Sequence, residues 1–396
     1  MLVLPLALAS PVRADEVTDW HEHMLVAVFQ GGGNSQIRSR NAAHVSAAVF
    51  DAVNGIERRY TPIHVAAAAP RGASKRAAAV QAAFAILRSK FPAQADDLNT
   101  KRAASLAAIG DGGESIRRGV TWGQFVADEI LNWRNTDGFT PAPPPYLGSD
   151  AIGKWRPTPP AFASGAVPQF ATMTPWGIQA PNQFRPEGPP ALDSEQYLMD
   201  YIETGMMGSV DSPFRTADQT DACLFWESSS PTHFWNRCAL DLLADVDTDL
   251  SDNARLLATL NLAIADAVIA CWDAKYHYAF WRPVTAIRLT DDPEWTPLLA
   301  TPAHPEYTSG HSTVSTAAAS VLAAYFGDDT PFFLPSSAAP GWVRFFPSFS
   351  AALDELADAR VFAGIHFRTA CEDGRILGGE VAGYILENLM QRVHGE

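Results

Sequence analysis

Three short islands in the last third of the chain hold the residues best suited to chemistry. They read Lys275-Tyr-His-Tyr-Ala-Phe-Trp-Arg282-Pro283, then Thr308-Ser309-Gly310-His311, then Arg360-Val-Phe-Ala-Gly-Ile-His366. Together they supply three cations (Lys275, Arg282, Arg360), the Ser309 hydroxyl, the Gly310 amide and the imidazoles of His311 and His366. Fixed cations and N–H donors neutralise and orient a tetrahedral oxyanion, and imidazoles beside it can ligate, attack or carry protons. The set therefore predicts an oxyanion site with acid–base or nucleophilic chemistry. Each member alone has a plainer reading. Lys275 and Arg282 fit a solvated helix face paired with Asp273 or Asp266, Ser309 fits an ordinary N-cap, and His366 a satisfied core histidine. The grouping carries the signal.

Local elements must bring these islands together. Lys275 and Arg282 are seven residues apart, so on one helix they share a face, two turns from each other. Pro283 disfavours helical geometry at Arg282, which predicts that the helix ends there with its guanidinium near a mouth. Ser309-Gly310-His311 precedes a helical pattern from about Thr313, so free amides at a helix start should face the anion, with Gly310 permitting close approach. Arg360 and His366 diverge by about 120° on a continuous helix, so a break at Gly364 is expected.

The remainder reads as all-α. Apolar residues recur at helical spacing over 41–56, 73–91, 115–133, 194–206, 235–243, 254–272, 313–326, 351–362 and 375–393, and strand-like alternation is nearly absent. Between Phe139 and Pro190 the chain turns Pro-rich and aromatic, too apolar for a flexible linker, so an ordered loop draped over helices is expected. The expected organisation is a candidate export signal over 1–14, an N-terminal helical region over 15–250 that includes the loop 139–190, and a C-terminal bundle over 251–396 carrying the site. The signal reading rests on the apolar start and the Val12-Arg13-Ala14 end, without a basic n-region, and implies a periplasmic or secreted protein.

Composition narrows the function classes. A net charge of −15 repels phosphate backbones, which argues against nucleic acid, and makes the clustered cations local exceptions on an acidic body. Only five of the 29 basic residues are lysines, and Lys275 sits among Tyr276, Tyr278, Phe280 and Trp281, where an unpaired ammonium is costly. No later run of 18 uninterrupted apolar residues predicts a membrane span. Cys223, Cys238, Cys271 and Cys371 lack metal-ligand spacing; buried thiols are expected, with a Cys223–Cys238 disulfide as the alternative.

The pattern KxxxxxxRP, then SGH, then Rx5H resembles the superfamily of vanadium-dependent haloperoxidases, type 2 phosphatidic acid phosphatases and bacterial acid phosphatases, here in a bacterial haloperoxidase-like form. The resemblance implies two packed helical bundles. It implies that Lys275, Arg282, Ser309, Gly310 and Arg360 bind oxygens of vanadate or phosphate. It implies that His366 ligates vanadium or attacks phosphorus, with His311 as the acid–base group. In the haloperoxidase form Lys275 polarises bound hydrogen peroxide, halide is oxidised to hypohalous acid, and a small organic acceptor is halogenated. The alternative is an acid phosphatase working through a phosphohistidine. Trp272 matches a tryptophan of the chloroperoxidase pattern, whereas His304 matches a histidine of the bromoperoxidase pattern, which points to bromide or iodide. Their plainer readings are core packing and a loop histidine. A homo-oligomer is compatible with the resemblance. Two positions depart from the phosphatase signature: Ala359 stands for Ser, and Ala370 for an Asp that would orient His366. Glu372, Asp373 or a backbone carbonyl is expected to replace that Asp; without a replacement, activity should weaken roughly ten- to a hundredfold.

Overall fold

The computed structural model describes residues 15–337, 339 and 341–393, so the export-signal expectation for 1–14 lies outside it. In chain order the N-terminal helices are α1 (Glu16–Gln30), α2 (Ser35–Glu57), α3 (Lys75–Lys90), α4 (Ala95–Ala108) and α5 (Gly113–Arg134). After the Pro-rich stretch come α6 (Glu195–Gly208), α7 (Ala217–Glu227), α8 (Pro231–Ala244), α9 (Leu250–Tyr278) and α10 (Pro283–Thr290). The chain closes with α11 (Gly310–Phe326), α12 (Phe349–Phe362) and α13 (Arg368–Asn388). The all-α expectation is met; the one addition is an antiparallel hairpin, β1 (Phe332–Pro335) with β2 (Val343–Phe346), in the register Phe332 opposite Phe346.

Helix α9 organises the molecule. Its sequence is apolar on all sides, so it has no face to give to water and is buried almost from end to end. It is long and apolar enough to cross a membrane, but here it forms the centre of the core. Helix α2 packs on one side of it, and α11 and α13 on the other; α3 and α5 pack in turn outside α2. One apolar cluster runs from Val17 through α9 to Met390, so both halves of the chain share a core. A smaller aromatic cluster, including Phe280, Trp281, Tyr307 and Phe367, lies where the three islands meet.

Close packing positions the site helix α11. Gly378 of α13 lies against it where a Cβ would run into the Thr313 carbonyl oxygen. The Ser309 N–H then bonds to the Ala370 carbonyl at 2.8 Å, which ties the start of α11 to α13.

The Pro-rich stretch is ordered and lies along α9. Buried Asp266 accepts the backbone N–H groups of Trp176, Gly177 and Ile178 at 2.7, 2.7 and 3.0 Å. Arg185 grips Asp273 through two bonds of 2.5 and 2.7 Å, and the Ala166 carbonyl accepts both Trp272 Nε1–H and the Tyr276 hydroxyl. Asp266 and Asp273 therefore hold this segment; neither pairs with Lys275 or Arg282. All four cysteines are buried free thiols, so the disulfide alternative is not realised.

Candidate active site

The first island departs from its expected geometry. Helix α9 stops at Tyr278 because Ala279 adopts a left-handed conformation (φ 48°). The Ala279 carbonyl accepts Trp155 N–H at 2.7 Å, which fixes the turn to the Pro-rich segment. Arg282 is therefore not on α9; it is the extended residue before Pro283 and the N-cap of α10. Its guanidinium lies at no mouth but is fully buried. Lys275 is fully buried as well and donates to the Pro305 and Glu306 carbonyls at 2.9 Å each. Burial, helped by nearby Arg282, pulls its pKa down to about 8, so it remains a cation at neutral pH.

In the second island Ser309 is the N-cap of α11, and the helix begins at Gly310, three residues before the expected start. The Ser309 hydroxyl accepts from Ser312 N–H at 3.4 Å and from the Ser312 hydroxyl at 3.0 Å. Gly310 and His311 open the first turn, where backbone N–H groups have no intrahelical acceptor. The surrounding protein, with Arg360 and Lys275 close by, holds His311 well below the ordinary histidine range, so its ring is neutral.

In the third island α12 ends at Phe362 and Gly364 (φ 75°) breaks the helix, as the spacing predicts. A Cβ there would lie 2.5 Å from the Gly208 carbonyl oxygen. Arg360 is fully buried and gives Nη2 to Glu227 at 2.9 Å. Its Nε and Nη1 have no partner among the described residues.

The carboxylate that orients His366 is Glu306, which the sequence reading does not single out. His366 Nδ1 lies 2.8 Å from Glu306 Oε1, which also accepts Phe367 N–H at 3.0 Å. On its other side His366 Nε2 faces Arg282 Nη1 at 3.3 Å. A guanidinium only donates, so Nε2 carries the lone pair and Nδ1 the proton given to Glu306. Burial and three cations (Arg282, Lys275 and Arg360) keep this imidazole neutral, far below its usual pKa. Burial raises Glu306 to about 7 against the pull of Arg282 and Lys275. The expected substitutes lie elsewhere: Glu372 is exposed, and Asp373 accepts the Tyr307 hydroxyl at 2.6 Å. Ala359 and Ala370 are both buried. Glu306 also joins two islands, since its carbonyl takes Lys275 and its carboxylate takes His366.

His304 Nδ1 lies 2.9 Å from Arg282 Nη2 and 3.2 Å from the Pro305 carbonyl oxygen, so it stands between a donor and an acceptor. Its ring lies 5.0 Å from that of Trp272, and burial beside Lys275 and Arg282 keeps it neutral.

These groups meet at a cavity of about 270 Å³. Trp272, His304, Gly310, His311, Arg360 and His366 line it. Lys275, Arg282 and Ser309 lie fully buried outside this lining. Glu227, Asn34, Ser35 and Gln36 also line it, and the sequence reading names none of them. A wall presenting an imidazole lone pair, a glycine amide and unpartnered guanidinium donors fits a tetrahedral oxyanion of the vanadate or phosphate type. A buried donor without a partner costs roughly 1–3 kcal/mol, which an oxyanion would relieve.

The class defined is an all-α bundle whose cavity is lined by one buried guanidinium and the imidazoles of His304, His311 and His366, with Lys275 and Arg282 buried behind them. A family model for the second helical-bundle domain of VCPO matches residues 255–395. The vanadium chloroperoxidase of Curvularia inaequalis is 24% identical over 274 residues, covering 52% of this chain and 45% of that protein. The match thus spans about half the length of that relative. The structure of a bacterial vanadium-dependent iodoperoxidase superposes with a TM-score of 0.86 at 26% identity, over 98% of this chain and all of that one. A holo-type bacterial vanadium-dependent chloroperoxidase shares the fold, with a TM-score of 0.75 at 17% identity over 96% of this chain and 98% of its own. Residues 255–395 thus match the second helical-bundle domain of VCPO, and the whole chain shares the fold of the bacterial vanadium-dependent haloperoxidases.

Proposed function

We propose that this protein is a vanadate-dependent haloperoxidase, an oxidoreductase that uses hydrogen peroxide to oxidise bromide or iodide to hypohalous acid. The observation that carries the reading is the state of His366: Glu306 takes the Nδ1 proton, which puts the lone pair on Nε2, where a metal oxyanion would take the place of Arg282 Nη1. His366 would ligate vanadate, with Arg360, Lys275 and Arg282 balancing its charge and the Gly310 amide and Ser309 hydroxyl completing the cradle. Vanadate, when bound, supplies a redox-inert Lewis acid for peroxide. His311 is held neutral, so a ring nitrogen would be free to take up and return a proton at the cavity. Lys275, held by the Pro305 and Glu306 carbonyls, would add positive charge and its remaining N–H. Peroxide, halide and one proton give hypohalous acid and water, and the halide provides both electrons.

His304 supports the preference for bromide or iodide. Its neutral ring lies beside Trp272, a setting suited to a large, weakly hydrated anion. The 26% identity to a protein described as an iodoperoxidase, over nearly the whole chain, agrees with that preference. A neutral imidazole facing a cradled oxyanion also suits attack on phosphorus, so the assay must separate the two reactions. Purified protein loaded with orthovanadate is expected to oxidise iodide and bromide with peroxide. Hydrolysis of p-nitrophenyl phosphate without vanadate, and no halide oxidation with it, would assign the site to phosphatase chemistry.

A further inference from the structure

The cavity has a second wall that the vanadate reading leaves without a task. It is the N-terminus of α2, delivered from the other half of the molecule: Asn34, Ser35 and Gln36 line the same space as His304 and His311. Asn34 caps the helix by accepting Ile37 N–H at 3.2 Å, and Arg38 N–H bonds to the Asn34 carbonyl. The Ser35 and Gln36 N–H groups remain without acceptors at the positive end of a helix of 23 residues. The Gln36 side chain is the independent observation. It is 9% exposed, lines the cavity, and has no hydrogen-bond partner among the described residues. Its amide is not closed off from the cavity and is free to bond a group that enters there.

The cavity is also larger than its cradle needs. A tetrahedral oxyanion, about four oxygen-sized groups, uses only a fraction of about 270 Å³. Ala166, Val268, Pro302 and Val314 add apolar side chains to the same lining. Glu227 is the one carboxylate in the lining, and it is paired with Arg360. Backbone and amide donors, apolar side chains and the oxyanion cradle in one cavity describe a seat for a small amphiphilic ligand.

We propose that the α2 N-terminus and Gln36 bind the organic acceptor, and that this acceptor is a small aromatic compound carrying a carboxylate or similar anionic oxygen. The inference rests on the haloperoxidase reading for the identity of the reaction. The anionic oxygen accepts the Ser35 and Gln36 N–H groups and the Gln36 amide N–H, and the ring packs on the apolar side chains of the lining. Hypohalous acid formed at the cradle then meets the ring inside the cavity. The new carbon–halogen bond replaces a carbon–hydrogen bond, the oxygen–halogen bond breaks, and the released proton joins the hydroxide as water.

The test is calorimetric titration of vanadate-saturated protein with 4-methoxybenzoate and, in parallel, with anisole. Filling the cradle first prevents the carboxylate from taking Arg360. The carboxylate is expected to bind at least tenfold more tightly than anisole, and Gln36→Leu to reduce that preference severalfold. Gln36→Glu keeps the shape, so it should weaken 4-methoxybenzoate further and favour 4-methoxybenzylamine instead. Equal affinity for the carboxylate in wild type and both variants would overturn the proposal, as would one-for-one displacement of vanadate by 4-methoxybenzoate. Failure to take up vanadate would refute the haloperoxidase reading alone. The same titration on phosphate-saturated protein would then score the α2 wall by itself.

Discussion

At the scale of single residues, His366 presents a lone pair at Nε2 because two neighbours leave it no other tautomer. Arg282 can only donate, and Glu306 takes the remaining proton. Removing Glu306 should free the ring to rotate and change tautomer. Glu306→Ala is expected to weaken vanadate binding about ten- to a hundredfold, as loss of an orienting partner does at metal sites generally. Glu306→Gln keeps an acceptor and should lose less; equilibrium dialysis of vanadate against the three proteins measures both. Most of the residues at this site were legible in the sequence, because cations, Ser-Gly-His and the second imidazole lie in compact islands. The orienting carboxylate was not. It was expected after His366, whereas it sits between His304 and Ser309, and only the fold shows that this loop passes behind the imidazole. The plain N-cap reading of Ser309 also holds, since capping α11 and standing beside an anion use the same position.

At the scale of elements, two local devices hold the islands in place. Gly364 turns the chain so that Arg360 and His366 face one cavity, in a conformation that an L side chain resists and a space that a Cβ would overfill. Gly364→Ala should cost about 2 kcal/mol or more and lower vanadate affinity with it, seen as a fall in melting temperature and a weaker dialysis constant. Asp266 pins the Pro-rich segment through three amides, yet burial outweighs them and raises its pKa to about 6. A carboxyl with a raised folded pKa favours folding most below its unfolded value near 3.8, and that advantage is lost as pH rises through about 6. Asp266→Asn cannot titrate and turns an N–H towards backbone donors, so it should destabilise by about 2 kcal/mol at pH 7. Its deficit should widen between pH 7 and pH 5, a trend read from melting curves of the two proteins. Most helices were legible from an apolar stripe, but α1 and α7 were not marked although Val17, Trp20, Met24 and Val28 line one and Ala222, Phe225 and Trp226 the other. Helix α4 was not legible, because Leu98 is its only buried residue, and α10 is too short to show a period. The early end of α9 has no sequence signal either: Ala279 adopts a conformation costing about 1–2 kcal/mol that contacts with the Pro-rich segment hold in place.

At the scale of the whole molecule, the site belongs to both halves. The cradle lies on α9, α11, α12 and the loops between them, but α2 covers α9 and contributes Asn34, Ser35 and Gln36 to the cavity. A fragment of residues 251–396 would expose the α9 surface that α2 buries. It is expected to unfold without a cooperative transition and to bind a hydrophobic dye, whereas the full chain melts cooperatively; scanning calorimetry with dye fluorescence distinguishes the two. The sequence makes the C-terminal bundle visible through its motifs, but it does not reveal that the wall opposite them comes from residues more than two hundred positions earlier. Net charge makes the same point: on a body of −15, three buried cations stand out as a place prepared for an anion.

The most direct measurement is vanadium NMR of orthovanadate added in equal amount to the wild-type protein and to His366→Ala, with iodide oxidation assayed on the same samples. A broadened bound signal and peroxide-dependent iodide oxidation in the wild type, both lost in the variant, is the predicted result. Bound vanadate that persists without His366, or a wild type that binds vanadate but leaves iodide untouched, would contradict it.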